Sequence, residues 1–271
     1  MNNKHEVVKL IDTTLCTACR GCQVACKQWN EMPGLRTKQW GSYQNPPDLQ
    51  WNTWTLIRFQ EHVNEKKEFN WLFRKDGCMH CTDAACVKVC PSGALHHTEF
   101  GTVGLNSSRC IGCKECVSAC PFEVPRYSRE TDKIYKCDLC YSRLRSDESP
   151  ACVKSCLTGA LSIGSKEQML KKAYARAKKV GGDANVYGDK FVGGTHVLYV
   201  LQEKASVYDS LPRNPSVPFS LFVWKDMLKP LALLAAGGVL AGSFLHYILH
   251  GPKLPDEPGP NEPGKDEKGG E

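Results

Sequence analysis

Sixteen cysteines punctuate the chain, and they fall into four groups of four with none left over. The groups are Cys16, Cys19, Cys22 and Cys26; Cys78, Cys81, Cys86 and Cys90; Cys110, Cys113, Cys116 and Cys120; and Cys137, Cys140, Cys152 and Cys156. The first and third read C-x2-C-x2-C-x3-C, and Pro91 and Pro121 follow the second and third. Three closely spaced thiolates wrap one face of an iron–sulfur cube, and the fourth of the run ligates a neighbouring cube. That fourth cysteine is expected to start a short helix that points away. Sixteen thiolates saturate four 4Fe-4S clusters, with iron ligated through the same sixteen cysteines and no iron left open to substrate. Four cubes in two close pairs form a path for electrons rather than a single reactive centre.

Two other uses of cysteine fit less well. Disulfides belong to oxidising compartments, and the first residues, MNNKHEVVKLID, contain no apolar signal core. Four-cysteine zinc sites also use C-x2-C pairs, but zinc needs neither the third cysteine nor the C-x3-C-P ending. No Ser/His/Asp, Cys/His or carboxylate constellation stands apart from the cysteine runs, so no catalytic residue is assigned. The net charge of +6 is mild, and no basic, aromatic-interleaved stretch suits nucleic acid.

The elements that must position the thiolates are legible in outline. The first and third runs resemble each other, as do CVKVCPSGAL and CVKSCLTGAL of the second and fourth. Between runs, HHTEFGTVGL and RYSRETDKIY read as small antiparallel hairpins. Spacing allows the first run to pair with the second and the third with the fourth. It equally allows a second–third pair inside a first–fourth pair. Residues 27–77 carry Trp29, Trp40, Trp51, Trp54 and Trp71, suited to filling a thin core or to docking on a partner. NTWTLIRF reads as a strand, 166–180 as an exposed amphipathic helix, and GGTHVLYVLQ as a buried strand whose His196 packs in the core. The fourth run departs from the others twice. Eleven residues separate Cys140 from Cys152, either a partner contact or a neutral insertion, and Leu157 stands where the second and third runs have proline. Arg20, Lys27, Lys88, Lys114, Arg126 and Lys136 lie near the runs and are candidates for raising cluster potentials.

From Leu231 to Leu249 the sequence is apolar and uncharged, long enough to cross a bilayer core. Pro230 suits the first helical position, Trp224 and Lys229 suit the interface, and Gly251 and Pro252 end the span. The Pro/Gly/charged tail 251–271 has a disordered composition. Gly238 and Gly242 have a spacing that lets a second helix approach. His246 and His250 lie on one helix face and are not assigned as ligands. Arg213, Lys225 and Lys229 before the span balance Lys253, Lys265 and Lys268 after it, so charge leaves the orientation open.

Taken with WLFRKDGCMHC, CIGCKECVSACPFEVPR, KCDLC, SPACVKSCLTGA, VGGTHVLYVL and LKPLALL…FLHYI, the cysteine pattern resembles one family. It is the iron–sulfur (beta) subunit of membrane-bound respiratory formate dehydrogenase, of the nitrate-inducible type, and the likeness runs from about Val8 to Pro252. The resemblance implies an α+β fold of two ferredoxin-like two-cluster units with insertions, plus one C-terminal transmembrane helix. It implies that Cys16, Cys19, Cys22 and Cys156 bind one cluster and that Cys26 joins Cys137, Cys140 and Cys152. Likewise Cys78, Cys81 and Cys86 take Cys120, and Cys90 joins Cys110, Cys113 and Cys116. The first pair would face the catalytic subunit and the second the membrane. Residues 1–27 with 133–165 then form one unit and 78–132 the other. Residues 28–77 are an aromatic-rich insertion, 166–227 a helix–strand extension and linker, 228–250 the span and 251–271 the tail. The implied partners are a molybdenum- or tungsten-pterin catalytic subunit, a cytochrome b membrane subunit that passes electrons to quinone, and the lipid bilayer. The implied location is the cytoplasmic (inner) membrane, single-pass. The body would be periplasmic, exported with a partner bearing a twin-arginine signal. The same wire also fits another donor or acceptor enzyme, such as hydrogenase, polysulfide reductase or another molybdopterin oxidoreductase.

Overall fold

A computed structural model describes residues 6–65, 67–218, 223 and 228–251. The chain divides into two compact units, Met1–Leu221 and Phe222–Glu271. The larger is built on a four-stranded mixed sheet. β1 (Val7–Asp12) lies parallel to β10 (Val197–Leu201) and antiparallel to β8 (Leu161–Ser165), and β9 (Asn185–Tyr187) closes the far edge against β10. The apolar run VLYVL makes β10 a central strand buried on both faces. On one face lies α6 (Lys166–Val180), started by a capping box of Ser165 with Gln168. Its Met169, Ala173 and Ala177 pack on Val8, Leu10, Leu198 and Val200. The opposite face, through Ile11, Val197, Tyr199 and Leu201, meets the larger core that contains Cys22 and Cys152.

Three antiparallel hairpins complete this unit. β2 (Leu56–Val63) pairs with β3 (Phe69–Asp76), β4 (Leu95–His97) with β5 (Val103–Leu105), and β6 (Arg126–Ser128) with β7 (Lys133–Tyr135). The second small hairpin matches the stretch read from sequence, and the first starts one residue before it, at Leu95. β2 begins at Leu56 rather than Asn52, because Gln50 and Thr53 exchange backbone hydrogen bonds in a tight turn just before it. None of the five insertion tryptophans is buried. Trp71 packs on Tyr43 and Phe73, while Trp51 and Trp54 lie against Tyr135.

In the second unit one long helix, α7 (Lys229–His250), carries the span; its apolar part, Pro230–His250, has mean hydropathy 1.7. Lys229 takes the first helical position and Pro230 the second, one place later than read from sequence. The missing N–H of proline is equally harmless there, since the first four helical donors have no intrahelical acceptor. His246 and His250 stack with ring centroids 4.8 Å apart. Trp224 and Lys225 before the span, and Pro252, Lys253, Lys265, Lys268 and the rest of the tail, lie outside the described residues.

Candidate metal centres

Each cysteine run uses the same local device. The residue two after the first cysteine has left-handed backbone: Ala18 (φ 53°), His80 (φ 50°), Gly112 (φ 68°) and Leu139 (φ 59°). Three of these four are not glycine, at a cost on the order of 1–2 kcal/mol each, the kind of strain found where backbone serves a site. At Gly112 glycine is also required for room, since an added Cβ would run into the carbonyl oxygen of Asp132. A short helix follows in every run: α1 (Gly21–Trp29), α2 (Ala85–Lys88), α3 (Glu115–Ala119) and α5 (Ala151–Lys154). Its second residue is Cys22, Cys86, Cys116 or Cys152, the third cysteine of the run. The fourth cysteine, four residues on, does not start the helix as expected from sequence. Cys26 sits one turn later within α1, roughly 6 Å along the axis, while Cys90, Cys120 and Cys156 lie just past the last residue of their helices. Each run thus presents its third thiol at the start of a helix and its fourth at or beyond the far end, and can serve two neighbouring sites.

The thiols gather into four quartets. Cys16, Cys19, Cys22 and Cys156 line one cavity with Ile11, Ile57 and Leu161. Cys78, Cys81, Cys86 and Cys120 line a second with Met79 and Val103. Cys90, Cys110, Cys113 and Cys116 line a third with Leu95 and Ile134. Cys26, Cys137, Cys140 and Cys152 are all buried, and the charge of any one acts on its neighbours. Among the described residues no three His, Cys, Asp or Glu side chains converge to hold a single metal ion. Four thiols around a void suit a cube and not one tetrahedral zinc, whose sulfurs would all lie about 2.3 Å from a common point.

Burial pushes the Cys22 thiol up to about 11 and those of Cys86, Cys116 and Cys140 up to about 12. Cys90 shifts the other way. Burial raises it, but backbone N–H groups including that of Leu95, together with the Ser92 hydroxyl, outweigh this and lower it. Buried thiols of this kind stay protonated near neutrality until a cationic iron core takes the proton's place. The donor set and apolar walls therefore fit the 4Fe-4S cluster.

The basic residues noted from sequence are mostly engaged elsewhere. Lys27 donates to the Asn52 carbonyl at 2.7 Å, Lys88 pairs with Asp83, Lys114 lies over the Tyr127 ring, and Arg126 pairs with Asp48. Arg20 sits over Phe59. Of the six, only Lys136 is buried. Two buried lysines went unnoticed in the sequence, Lys9 and Lys75. The sole signal for Lys75 was its place three residues before Cys78. The eleven-residue insertion of the fourth run forms α4 (Tyr141–Arg145), whose Arg143 lies over Trp29 at 4.4 Å and pairs with Glu148 at 2.7 Å. It braces the first run from outside.

Four cysteine quartets held by paired ferredoxin-type loops, on a body followed by one apolar helix, define a membrane-anchored iron–sulfur electron carrier. Family models agree: "4Fe-4S dicluster domain" matches residues 15–94 and again 69–166, and "Formate dehydrogenase N, transmembrane" matches 217–260. Two dicluster domains amount to four 4Fe-4S clusters. The formate dehydrogenase iron-sulfur subunit of Haemophilus influenzae is 43% identical over 266 residues, covering 94% of this chain and 84% of the relative. In Escherichia coli the formate dehydrogenase-O iron-sulfur subunit is 43% identical, over 94% of this chain and 87% of its own. The nitrate-inducible formate dehydrogenase iron-sulfur subunit of the same organism is 44% identical, over 92% and 87%. The chain belongs to the family of formate dehydrogenase iron–sulfur subunits. It transfers electrons within an oxidoreductase and is not itself the catalytic subunit.

Proposed function

We propose that this chain carries electrons from a formate-oxidising molybdenum- or tungsten-pterin subunit, through four clusters, to a membrane cytochrome b and quinone. The observation that carries the proposal is the order in which the quartets adjoin. α1 packs on α5 and α2 on α3, and Cys22 lies near enough to Cys152, Cys137 to Cys78 and Cys86 to Cys116 for a charge on one to act on the other. This supports a single file in which the Cys16/19/22/156 site is followed by Cys26/137/140/152, then Cys78/81/86/120, then Cys90/110/113/116. When bound, the clusters supply one-electron donors and acceptors. The protein opens the two ends of the file. Cys19 and Cys113, in the first and last quartets, are the two exposed cysteines. Leu157 is 90% exposed beside the first quartet and Ile111 62% exposed beside the last. Apolar surface at both ends suits docking of a donor on one side and an acceptor on the other.

On this reading 1–27 with 133–165 forms the donor-side unit and 78–132 the acceptor-side unit. The body lies on the periplasmic face of the cytoplasmic membrane, exported attached to a signal-bearing catalytic partner. The test is to isolate the native membrane complex through this chain and add formate without oxygen. Cluster reduction is then followed by visible absorbance and EPR. Bleaching by formate, with little added by dithionite, is the expected result. Reduction by dithionite alone, with an active catalytic partner present, would assign the wire to another donor.

A further inference from the structure

Lysine is almost never fully buried unless it is paired, yet Lys75 near the end of β3 is 2% exposed. Its Nζ donates one hydrogen bond, to the Thr55 hydroxyl at 3.1 Å. The carboxylate nearest in sequence, Asp76, is already held by Arg58 at 2.8 Å and Arg74 at 3.1 Å. Among the described residues no carboxylate forms an ion pair with Lys75. A buried ammonium held by a single neutral hydroxyl is far from satisfied. What surrounds it is sulfur. Lys75 lines the cavity of Cys16, Cys19, Cys22 and Cys156. Its charge also acts on Cys26, Cys137 and Cys152 of the adjoining quartet.

Given the cluster assignment proposed above, on which this rests, we infer that Lys75 is a positioning residue. It is the buried counter-charge shared by the two clusters of the first–fourth unit, and it holds both of their reduction potentials up. Each four-thiolate cluster is anionic and gains one more negative charge with each electron, so a fixed cation beside it favours the reduced form. In the low-dielectric interior that effect is weakly screened by salt. The second–third unit has a counterpart. Lys136 lines the Cys78/81/86/120 cavity and is equally buried, with Nζ donating to the carbonyls of Val103 and Cys137 at 2.5 and 3.0 Å. A buried lysine without a carboxylate among the described residues thus lies against each cluster pair, and Lys9, equally buried and also without an ion pair among them, acts on Cys137 as well.

The test is an EPR-monitored potentiometric titration of the intact membrane complex, wild type against Lys75→Met, Lys75→Gln and Lys75→Arg. Iron and acid-labile sulfide are measured on each. Loss of the charge is expected to lower the potentials of two of the four clusters. The reduction equilibrium of each should fall tenfold or more, which is about 59 mV for a one-electron couple. The other two clusters stay in place, and Lys75→Arg restores the wild-type values. Four loaded clusters with unchanged potentials in both neutral variants would overturn the proposal and leave the cluster assignment standing. So would loss of clusters in both neutral variants but not in Lys75→Arg, which would make the lysine an assembly residue. A wild-type complex short of four clusters would instead overturn the assignment itself.

Discussion

Cys26 belongs to the first run by sequence and to the fourth by position, because a helical turn separates it from Cys22. Cys26→Ser is therefore expected to remove the cluster of Cys137, Cys140 and Cys152 while leaving that of Cys16, Cys19 and Cys22. Iron analysis with EPR of the reduced protein reads this directly, and loss of the other cluster instead would refute the crossed pairing. A second residue-scale expectation concerns Glu6, whose Oε1 lies 3.0 Å from Lys166 Nζ and 2.8 Å from His196 Nε2. Burial pushes its carboxyl up, but Lys166 and His196 outweigh this and hold it below its ordinary value. A carboxyl with a lowered folded-state pKa stabilises the protein above its unfolded pKa, about 4.3. That contribution is lost as the pH falls through the folded value. Glu6→Gln should therefore lower the unfolding temperature at pH 7, with the deficit shrinking on acidification through that window. A deficit independent of pH would refute it.

At the level of elements, the cysteine loops, the two small hairpins and α6 were legible because their signals are local: fixed spacing, turn residues and a helical period. The parallel pairing of β1 with β10 was not, since Lys9 and Val197 stand far apart in sequence and nothing in either strand names the other. The same non-locality hid Lys75. A lysine at the end of an aromatic strand reads as solvated until the fold wraps two thiol quartets around it. The sheet is nevertheless what holds the first and fourth runs together, so its core is a sensitive place. Leu198 is 1% exposed in β10, packed beneath α6. Leu198→Ala should cost about 2–5 kcal/mol, read as an earlier loss of cluster absorbance on heating or in denaturant. A change under about 0.5 kcal/mol, as expected of surface sites, would show that the sheet does not support the clusters.

For the whole molecule, the body buries its own core and all sixteen thiols lie within it, while the span is a separate unit with every described side chain inside it exposed. A chain ending at residue 218 is expected to stay in solution without detergent and to load the same iron per polypeptide as the full chain. Failure to load iron when the full chain does so would show that the anchor is needed for assembly. The interleaving of the runs also has a consequence in time. Synthesis proceeds from the N-terminus, and the second and third runs contain every thiol of their own two sites. Their clusters can be inserted as soon as Cys120 has left the ribosome. Cys26 appears early but stands open until Cys152 is made, and Cys16, Cys19 and Cys22 until Cys156, so the earliest part of the chain is the last to be sealed. A stalled or truncated product would be a two-cluster protein with an exposed, iron-hungry N-terminus, which gives quality control a definite species to recognise.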